Sequence, residues 1–146
     1  MYLFCDFGKF PFLKDRLECT GWKVFRTPLI WYKPGAYRTP WVLRGPRRTY
    51  ECILFAIKGE RNVNLLGDDV LEFPSDENQG HNAQKPVALF QELLARSARP
   101  GDRVLDLFCG TGPIFPAAHA LKCAATGIEL DLAFAGIAAQ RIKELS

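Results

Sequence analysis

The chain has 146 residues, of which 48% are hydrophobic, enough for the core of one compact domain. Its formal net charge of +3, from 19 basic and 16 acidic side chains, is too small to indicate a nucleic-acid partner by itself. No apolar run approaches the length of a membrane span or a signal peptide, and no His or Cys spacing is typical of a metal site. Five scattered cysteines without a C-x-x-C pair predict reduced thiols in a cytoplasmic protein.

The first half of the chain has the patterns of short strands around one helix. Residues 10–20 place Phe10, Leu13 and Leu17 on one helical face, and Gly21 is a stop signal. Apolar runs predict strands at residues 2–5, 22–25, 29–32 and 50–57. Residues 59–82 are polar and turn-rich, and we expect a small hairpin around Gly67-Asp68.

The second half alternates helices with strands. Pro86 begins a helix, because proline is favoured at the first helical position. Asp131 is a candidate cap for the last helix. Further elements are predicted as strands at 104–108 and 125–129, a helix at 113–121, and a last helix with Phe134, Ile137, Ala138 and Ile142 on one face. This alternation favours an α/β domain with a parallel sheet.

A glycine loop follows the predicted strand at 104–108. It reads Val104-Leu-Asp-Leu-Phe-Cys-Gly-Thr-Gly-Pro-Ile114, and its glycines let the backbone approach a ligand closely. Glu129 ends the next strand, 23 positions after Asp106 (129 − 106), where a carboxylate can accept both hydroxyls of a ribose. A simple connecting turn is the alternative, and the spacing to Glu129 makes it the less favoured interpretation.

Two ligands compete for such a loop. A nicotinamide dinucleotide requires G-x-G-x-x-G, and here Phe115 stands in place of the third glycine. Asp106 at the strand end is also unfavourable beside a pyrophosphate. It suits S-adenosylmethionine, which carries a sulfonium and an ammonium group and no phosphate.

Several segments in one order resemble amino-methylating DNA methyltransferases. The glycine loop is similar to the family's D-P-F-x-G-S-G-T motif, with Leu107 in place of the proline and Pro113-Ile114 in place of a small polar pair. The segment His81-Asn-Ala-Gln-Lys-Pro-Val-Ala-Leu89 resembles H-x-x-x-K-P-x-x-L, and Gly127-Ile-Glu-Leu-Asp131 matches G-x-E-x-D. The resemblance covers the whole chain, and its order is that of the permuted subgroup in which the catalytic segment precedes the cofactor segment.

The resemblance implies an α/β, Rossmann-like S-adenosylmethionine-dependent methyltransferase fold, incomplete, with a mixed sheet and helices on both faces. It implies one partial methyltransferase domain over 1–146, with a cofactor-binding half at 81–146. Glu129 is implied to bind the ribose, and Lys85 and Pro86, with Asn82 and Gln84 nearby, to lie against the cofactor's amino-acid end. The loop residues implied to line the cofactor are Asp106, Phe108, Cys109, Gly110, Thr111 and Gly112. Direct methyl transfer needs no nucleophilic cysteine, so we expect the Cys109 side chain to fill space.

The family's catalytic motif is missing from the chain. The motif has an Asp, Asn or Ser followed by Pro-Pro and an aromatic residue, and this sequence has no Pro-Pro pair. By resemblance, the motif and its strand would lie between the strands at 2–5 and 104–108. Three interpretations remain open: a truncated product, one half of a split enzyme whose second chain supplies the missing strands and motif, or a small non-catalytic module that binds DNA or a partner.

A basic stretch between Lys33 and Arg61 is the candidate DNA-facing surface. Within the loop at 34–49, the candidates for phosphate contacts are Arg38, Arg44, Arg47 and Arg48. An exposed basic loop with Trp41 as an anchor is the alternative. Residues 60–80 occupy the place of a target-recognition region, but they are few and acidic. The methylated base, the recognition sequence and the presence of a restriction partner stay open.

Overall fold

The computed structural model of the chain describes residues 1–35, 44–75 and 84–145. The chain forms two compact units. The first unit consists of Met1–Asn62 with Gly67–Pro74, and the second of Val63–Leu66 with Ser75–Ser146. No helix among the described residues is long and apolar enough to cross a membrane. The predicted positions Arg38, Trp41, His81 and Asn82 lie outside the described residues.

Within the described residues, the first unit holds a five-stranded sheet and one α-helix. Its elements are β1 (Tyr2–Cys5), α1 (Phe10–Glu18), β2 (Lys23–Val24), β3 (Leu29–Tyr32), β4 (Tyr50–Ile57) and β5 (Val70–Glu72). Strand β4 lies between β1 and β3 and is antiparallel to both, and β2 also pairs with β4. Strand β5 is parallel to β3, so the sheet is mixed, and the hairpin expected around Gly67-Asp68 is replaced by this parallel pairing.

Helix α1 covers the sheet of the first unit as its apolar spacing predicts. Phe10 is buried with Leu54 and Ala56 of β4, and Leu13 and Leu17 pack against this cluster. The helix ends at Glu18, two residues before the predicted end. The Thr20 hydroxyl donates to the Leu17 carbonyl at 2.9 Å and completes the turn.

The second unit has the helix–strand alternation that the sequence predicts. Its elements are α2 (Val87–Ser97), β6 (Arg103–Asp106), α3 (Ile114–Ala120), β7 (Ala124–Gly127) and α4 (Leu132–Lys143). Strands β6 and β7 are parallel, with Arg103 opposite Ala124 and Asp106 opposite Gly127. The core of this unit includes Leu94 of α2 and Phe115 of α3. The predicted α/β fold with a mixed arrangement of strands is confirmed.

Helix α4 contacts the core through few of its apolar residues. Ala138 is buried, whereas Ile137 is 38% exposed and Ile142 is 44% exposed. Asp131 caps the helix as expected, because its carboxylate accepts from the backbone N–H groups of Ala133 and Phe134. The predicted apolar stripe is therefore only partly used for packing within the second unit.

Candidate functional site

The glycine loop begins where β6 ends. The Asp106 carboxylate accepts from the Phe108 backbone N–H at 3.1 Å, which turns the chain two residues before the predicted end of the strand. The Ile128 N–H donates to the Asp106 carbonyl at 2.8 Å, and the Cys109 N–H donates to the Ile128 carbonyl at 2.9 Å. These bonds hold the loop beside the carboxyl end of β7, where open α/β sheets bind ligands.

Glu129 holds the glycine loop through its carboxylate. One oxygen accepts from the Gly110 N–H at 2.8 Å, and the other accepts from the Asp131 N–H at 2.8 Å. The hydrogen bond from Asp131 is the largest cause of a lowered Glu129 pKa, so this group is ionised at neutral pH. A carboxylate oxygen can accept more than one hydrogen bond, so both oxygens of Glu129 keep capacity for further donors. The two motifs that the sequence pairs are thus in contact.

Asp106 lies in an environment that disfavours its negative charge. Burial raises the pKa of Asp106 most, the hydrogen bond from Phe108 opposes this, and the charge of Glu129 raises it further. A cation bound here would relieve this penalty, because an opposite charge favours the ionised carboxylate. The pair of carboxylates therefore favours a positively charged ligand.

Exchanging Asp106 for asparagine is expected to increase the free energy of unfolding at neutral pH. Because the folded state raises the Asp106 pKa, folding favours the protonated form, and stability is lost as the pH rises through that pKa. A neutral amide avoids this loss. The stabilities of the two proteins should converge as the pH falls towards about 3.9, the ordinary aspartate pKa.

Urea unfolding of both proteins at pH 7 and pH 4 measures this difference. Asp131→Asn is the matched control, since asparagine caps helices about as well as aspartate. Two results would contradict the view that the folded state disfavours an ionised Asp106. One is an Asp106→Asn protein that is less stable than wild type at pH 7. The other is a stability difference between the two proteins that does not change with pH.

Gly110 and Gly112 have different reasons to be glycine. Both have positive φ, +54° and +78°. A Cβ on Gly110 would meet nothing within 4 Å, so one side of the loop is open there. A Cβ on Gly112 would lie 2.7 Å from the Phe115 ring and 2.9 Å from Ala138 Cβ. Gly112 therefore allows the loop to pack against α3 and α4.

Cys109 fills space under the loop. It is 6% exposed, and a Cβ on Gly127 would lie 2.7 Å from its sulfur. Burial is the largest cause of a raised Cys109 pKa, and the charges of Asp106 and Glu129 raise it further. A protonated, buried thiol is a poor nucleophile, in agreement with the space-filling role expected from the sequence.

Thr111 points into the protein. Its side chain is buried at 1% exposure, and its hydroxyl donates to the Gln84 side-chain oxygen at 2.6 Å. Gln84, which the resemblance places near the cofactor, is itself buried and contacts the loop from its interior side. Lys85 and Pro86 follow directly, and Pro86 is the N-cap residue of α2. The sequence gives no signal for the contact, because Gln84 and Thr111 are 27 positions apart.

Apolar side chains are exposed around the loop. Phe108 is 83% exposed, and Leu105 of β6 and Ile128 beside β7 are 62% and 53% exposed. Both faces of a parallel sheet are usually covered. The face that carries Leu105 and Ile128 is left uncovered within the second unit.

Three of the predicted DNA-contacting arginines are exposed in the first unit. Arg44 and Arg47 lie in the described part of the basic loop. The Arg48 guanidinium donates to the Asp6 carboxylate at 2.8 Å, and it contributes to a lowered Asp6 pKa after the larger effect of the Gly8 N–H. Arg48 is thus already paired with a carboxylate.

Comparison with known proteins identifies the family. A family model described as DNA methylase matches residues 1–140. The chain belongs to the DNA methylase family. This membership confirms the resemblance to amino-methylating DNA methyltransferases and does not favour the non-catalytic module. The permuted subgroup stays a prediction.

Two curated relatives show how much of a methyltransferase the chain spans. It is 29% identical over 144 residues to type II methyltransferase M.SmaI of Serratia marcescens, covering 86% of this chain and 48% of that protein. It is 24% identical over 180 residues to DNA adenine methyltransferase YhdJ of Escherichia coli, covering 97% of this chain and 60% of that protein. The chain spans about half the length of these relatives.

A solved structure has the same fold. The M1.HpyAVI complex with S-adenosylmethionine superimposes with a TM-score of 0.82 at 25% identity. The match covers 97% of this chain and 72% of that one.

Proposed function

We propose that the second unit binds S-adenosylmethionine and that the protein takes part in methylating the exocyclic amino group of adenine or cytosine in DNA. The observation that carries this proposal is the contact between Glu129 and the Gly110 N–H, beside Asp106, at the carboxyl ends of two parallel strands. Family membership and the fold shared with an S-adenosylmethionine complex support it.

The proposed cofactor site has a polar and a charged part. Glu129 accepts the ribose hydroxyls with its remaining lone pairs, and Asp106 contributes negative charge near the sulfonium and ammonium groups. Gly110 gives access to the open side of the loop, and the exposed Phe108 ring offers a flat apolar surface. When bound, the cofactor supplies the methyl group on its sulfonium.

The segment before α2 is proposed to receive the cofactor's amino-acid end. Lys85 and Pro86 directly follow Gln84, which contacts the glycine loop through Thr111. Asn82 belongs to the same segment, His81–Leu89, and is also proposed to contact the cofactor's amino-acid end. The Lys85 ammonium group would attract the carboxylate of the cofactor's amino-acid end, because the two charges are opposite.

We infer that a further polypeptide segment supplies the residues that hold the base. The chain has no Pro-Pro pair, and the target base of a DNA methyltransferase must be held outside the duplex. Within the described residues, β6 pairs with β7 alone, which leaves a strand edge for pairing. The exposed Leu105 and Ile128 lie on the uncovered face of these strands.

Arg44 and Arg47 are proposed to contact DNA phosphates, together with Arg38. Guanidinium groups that contact the phosphate backbone of DNA position a protein on the duplex, and such binding weakens as the salt concentration rises. Arg48 joins this set if it exchanges the Asp6 carboxylate for a phosphate. The proposed role is orientation of the protein on DNA and not reading of a sequence.

The proposed function is tested by mixing the chain with duplex DNA and S-adenosylmethionine labelled on the methyl group. We expect the chain alone to bind DNA with strong salt dependence and to transfer no label. Transfer should begin when a polypeptide carrying the Pro-Pro-aromatic motif and its strand is added, and Arg44→Ala with Arg47→Ala should reduce the salt slope by about one per lost phosphate contact.

Arg103→Ala is the matched control, because Arg103 is exposed on β6 in the second unit and outside the basic loop. Label transfer by the chain alone would overturn the need for a further segment. Salt-insensitive DNA binding that is unchanged by the arginine substitutions would overturn the proposed DNA surface.

A further inference from the structure

A buried polar contact joins three segments of the second unit at one atom. The Gln84 side-chain oxygen accepts from the Thr111 hydroxyl at 2.6 Å and from the Arg141 guanidinium at 3.4 Å. Thr111 is 1% exposed and Gln84 is 9% exposed. One amide oxygen therefore connects the glycine loop, the segment before α2, and α4.

This contact fixes the loop, because breaking it would leave the buried Thr111 hydroxyl without its hydrogen bond to Gln84. A buried hydroxyl without a partner loses the hydrogen bonds that water would give it. Thr111 therefore keeps its side chain directed at Gln84. Since Gly110 and Gly112 flank Thr111, this direction also restrains the backbone on both sides.

The restraint reaches the group proposed to bind the ribose. Gly110 donates its N–H to Glu129 at 2.8 Å, one residue before Thr111. The loop is thus held at adjacent residues by two side chains, Glu129 on the ligand side and Gln84 on the interior side. Losing the interior contact would free Gly110 to leave Glu129.

We propose that Gln84 is a positioning residue that acts through Thr111 to keep the glycine loop ready for S-adenosylmethionine. The inference rests on the proposed function for its effect on affinity. Gln84 would act through the loop and not through a contact of its own with the cofactor. Its neutral amide oxygen serves both donors, and a carboxylate at this position would do so as well.

The proposal is tested with Gln84→Leu, Thr111→Val and the double variant. Each single change should weaken binding of S-adenosylhomocysteine by about five- to tenfold, the effect of one hydrogen bond. The double variant should bind about as weakly as Gln84→Leu, because that change already removes the hydrogen bond that Thr111→Val removes. Isothermal titration calorimetry gives the dissociation constants.

Two further variants separate positioning from general packing. Gln84→Glu retains an acceptor for Thr111 and Arg141, and it should bind within about threefold of wild type because charge-assisted hydrogen bonds are strong. Thr126→Val is the matched control, a threonine exposed on β7, and it should leave the affinity unchanged. Failure of Gln84→Glu to recover affinity would contradict the proposed role.

Hydrogen exchange of the ligand-free chain tests the same proposal without the cofactor. Thr111→Val should accelerate exchange of the Gly110 and Gly112 amides more than tenfold, while the Ala124 amide at the start of β7 is unchanged. Equal acceleration throughout the second unit would show a structural role alone and overturn the proposal. If wild type failed to bind S-adenosylhomocysteine, the proposed function would fall, and this exchange result would still decide the role of Gln84.

Discussion

Glu129→Ala is expected to weaken binding of S-adenosylhomocysteine roughly 100-fold, the loss expected when charged hydrogen bonds to a ligand are removed. The variant loses the proposed acceptor of the ribose hydroxyls. It also leaves the Gly110 and Asp131 N–H groups without the carboxylate that now holds both. Isothermal titration calorimetry of the purified chain measures the change.

Two variants separate the roles of this carboxylate. Glu129→Gln keeps one oxygen acceptor and should lose less affinity than Glu129→Ala. Glu144→Ala removes an exposed carboxylate at the end of α4 and should bind as wild type does. Binding heat that is unchanged in Glu129→Ala would show that the adenosine is held elsewhere.

Gly112→Ala is expected to lower the free energy of unfolding by about 3 kcal/mol, from the cost of the left-handed backbone added to overpacking. The new methyl group would lie within 2.9 Å of Phe115 and Ala138, two core residues that cannot move away easily. Urea unfolding followed by circular dichroism gives the difference.

Gly110→Ala is the matched control for Gly112→Ala. Its φ of +54° is also left-handed, but its Cβ would meet nothing within 4 Å. The backbone cost alone predicts a loss of about 1 kcal/mol. Equal losses in the two variants would refute the packing role of Gly112.

The central pair of the site was predictable from the sequence because its signals are local. Asp106 ends β6 and Glu129 follows the end of β7 by two residues, and parallel strands bring their carboxyl ends to one edge. Strand β4 was predicted to the residue from its apolar run. Strands β6 and β7 end two residues before their predicted ends. At β6, the Asp106 carboxylate accepts from the Phe108 N–H and turns the chain earlier than the apolar pattern suggests.

Contacts between distant residues were not predictable in this way. The Gln84–Thr111 hydrogen bond depends on how α2, α3 and α4 pack, and neither residue type is unusual at its position. The sequence did not predict the packing role of Gly112, because close approach of a ligand explains a glycine in this motif equally well. The exposure of Ile137 likewise depends on which residues of α4 pack against the core.

A crystal structure of the chain with S-adenosylhomocysteine would show where the adenosine binds. We expect the adenosine against the 106–112 loop, with both ribose hydroxyls donating to Glu129. An empty loop, with the ligand bound elsewhere and Glu129 turned towards solvent, would contradict it.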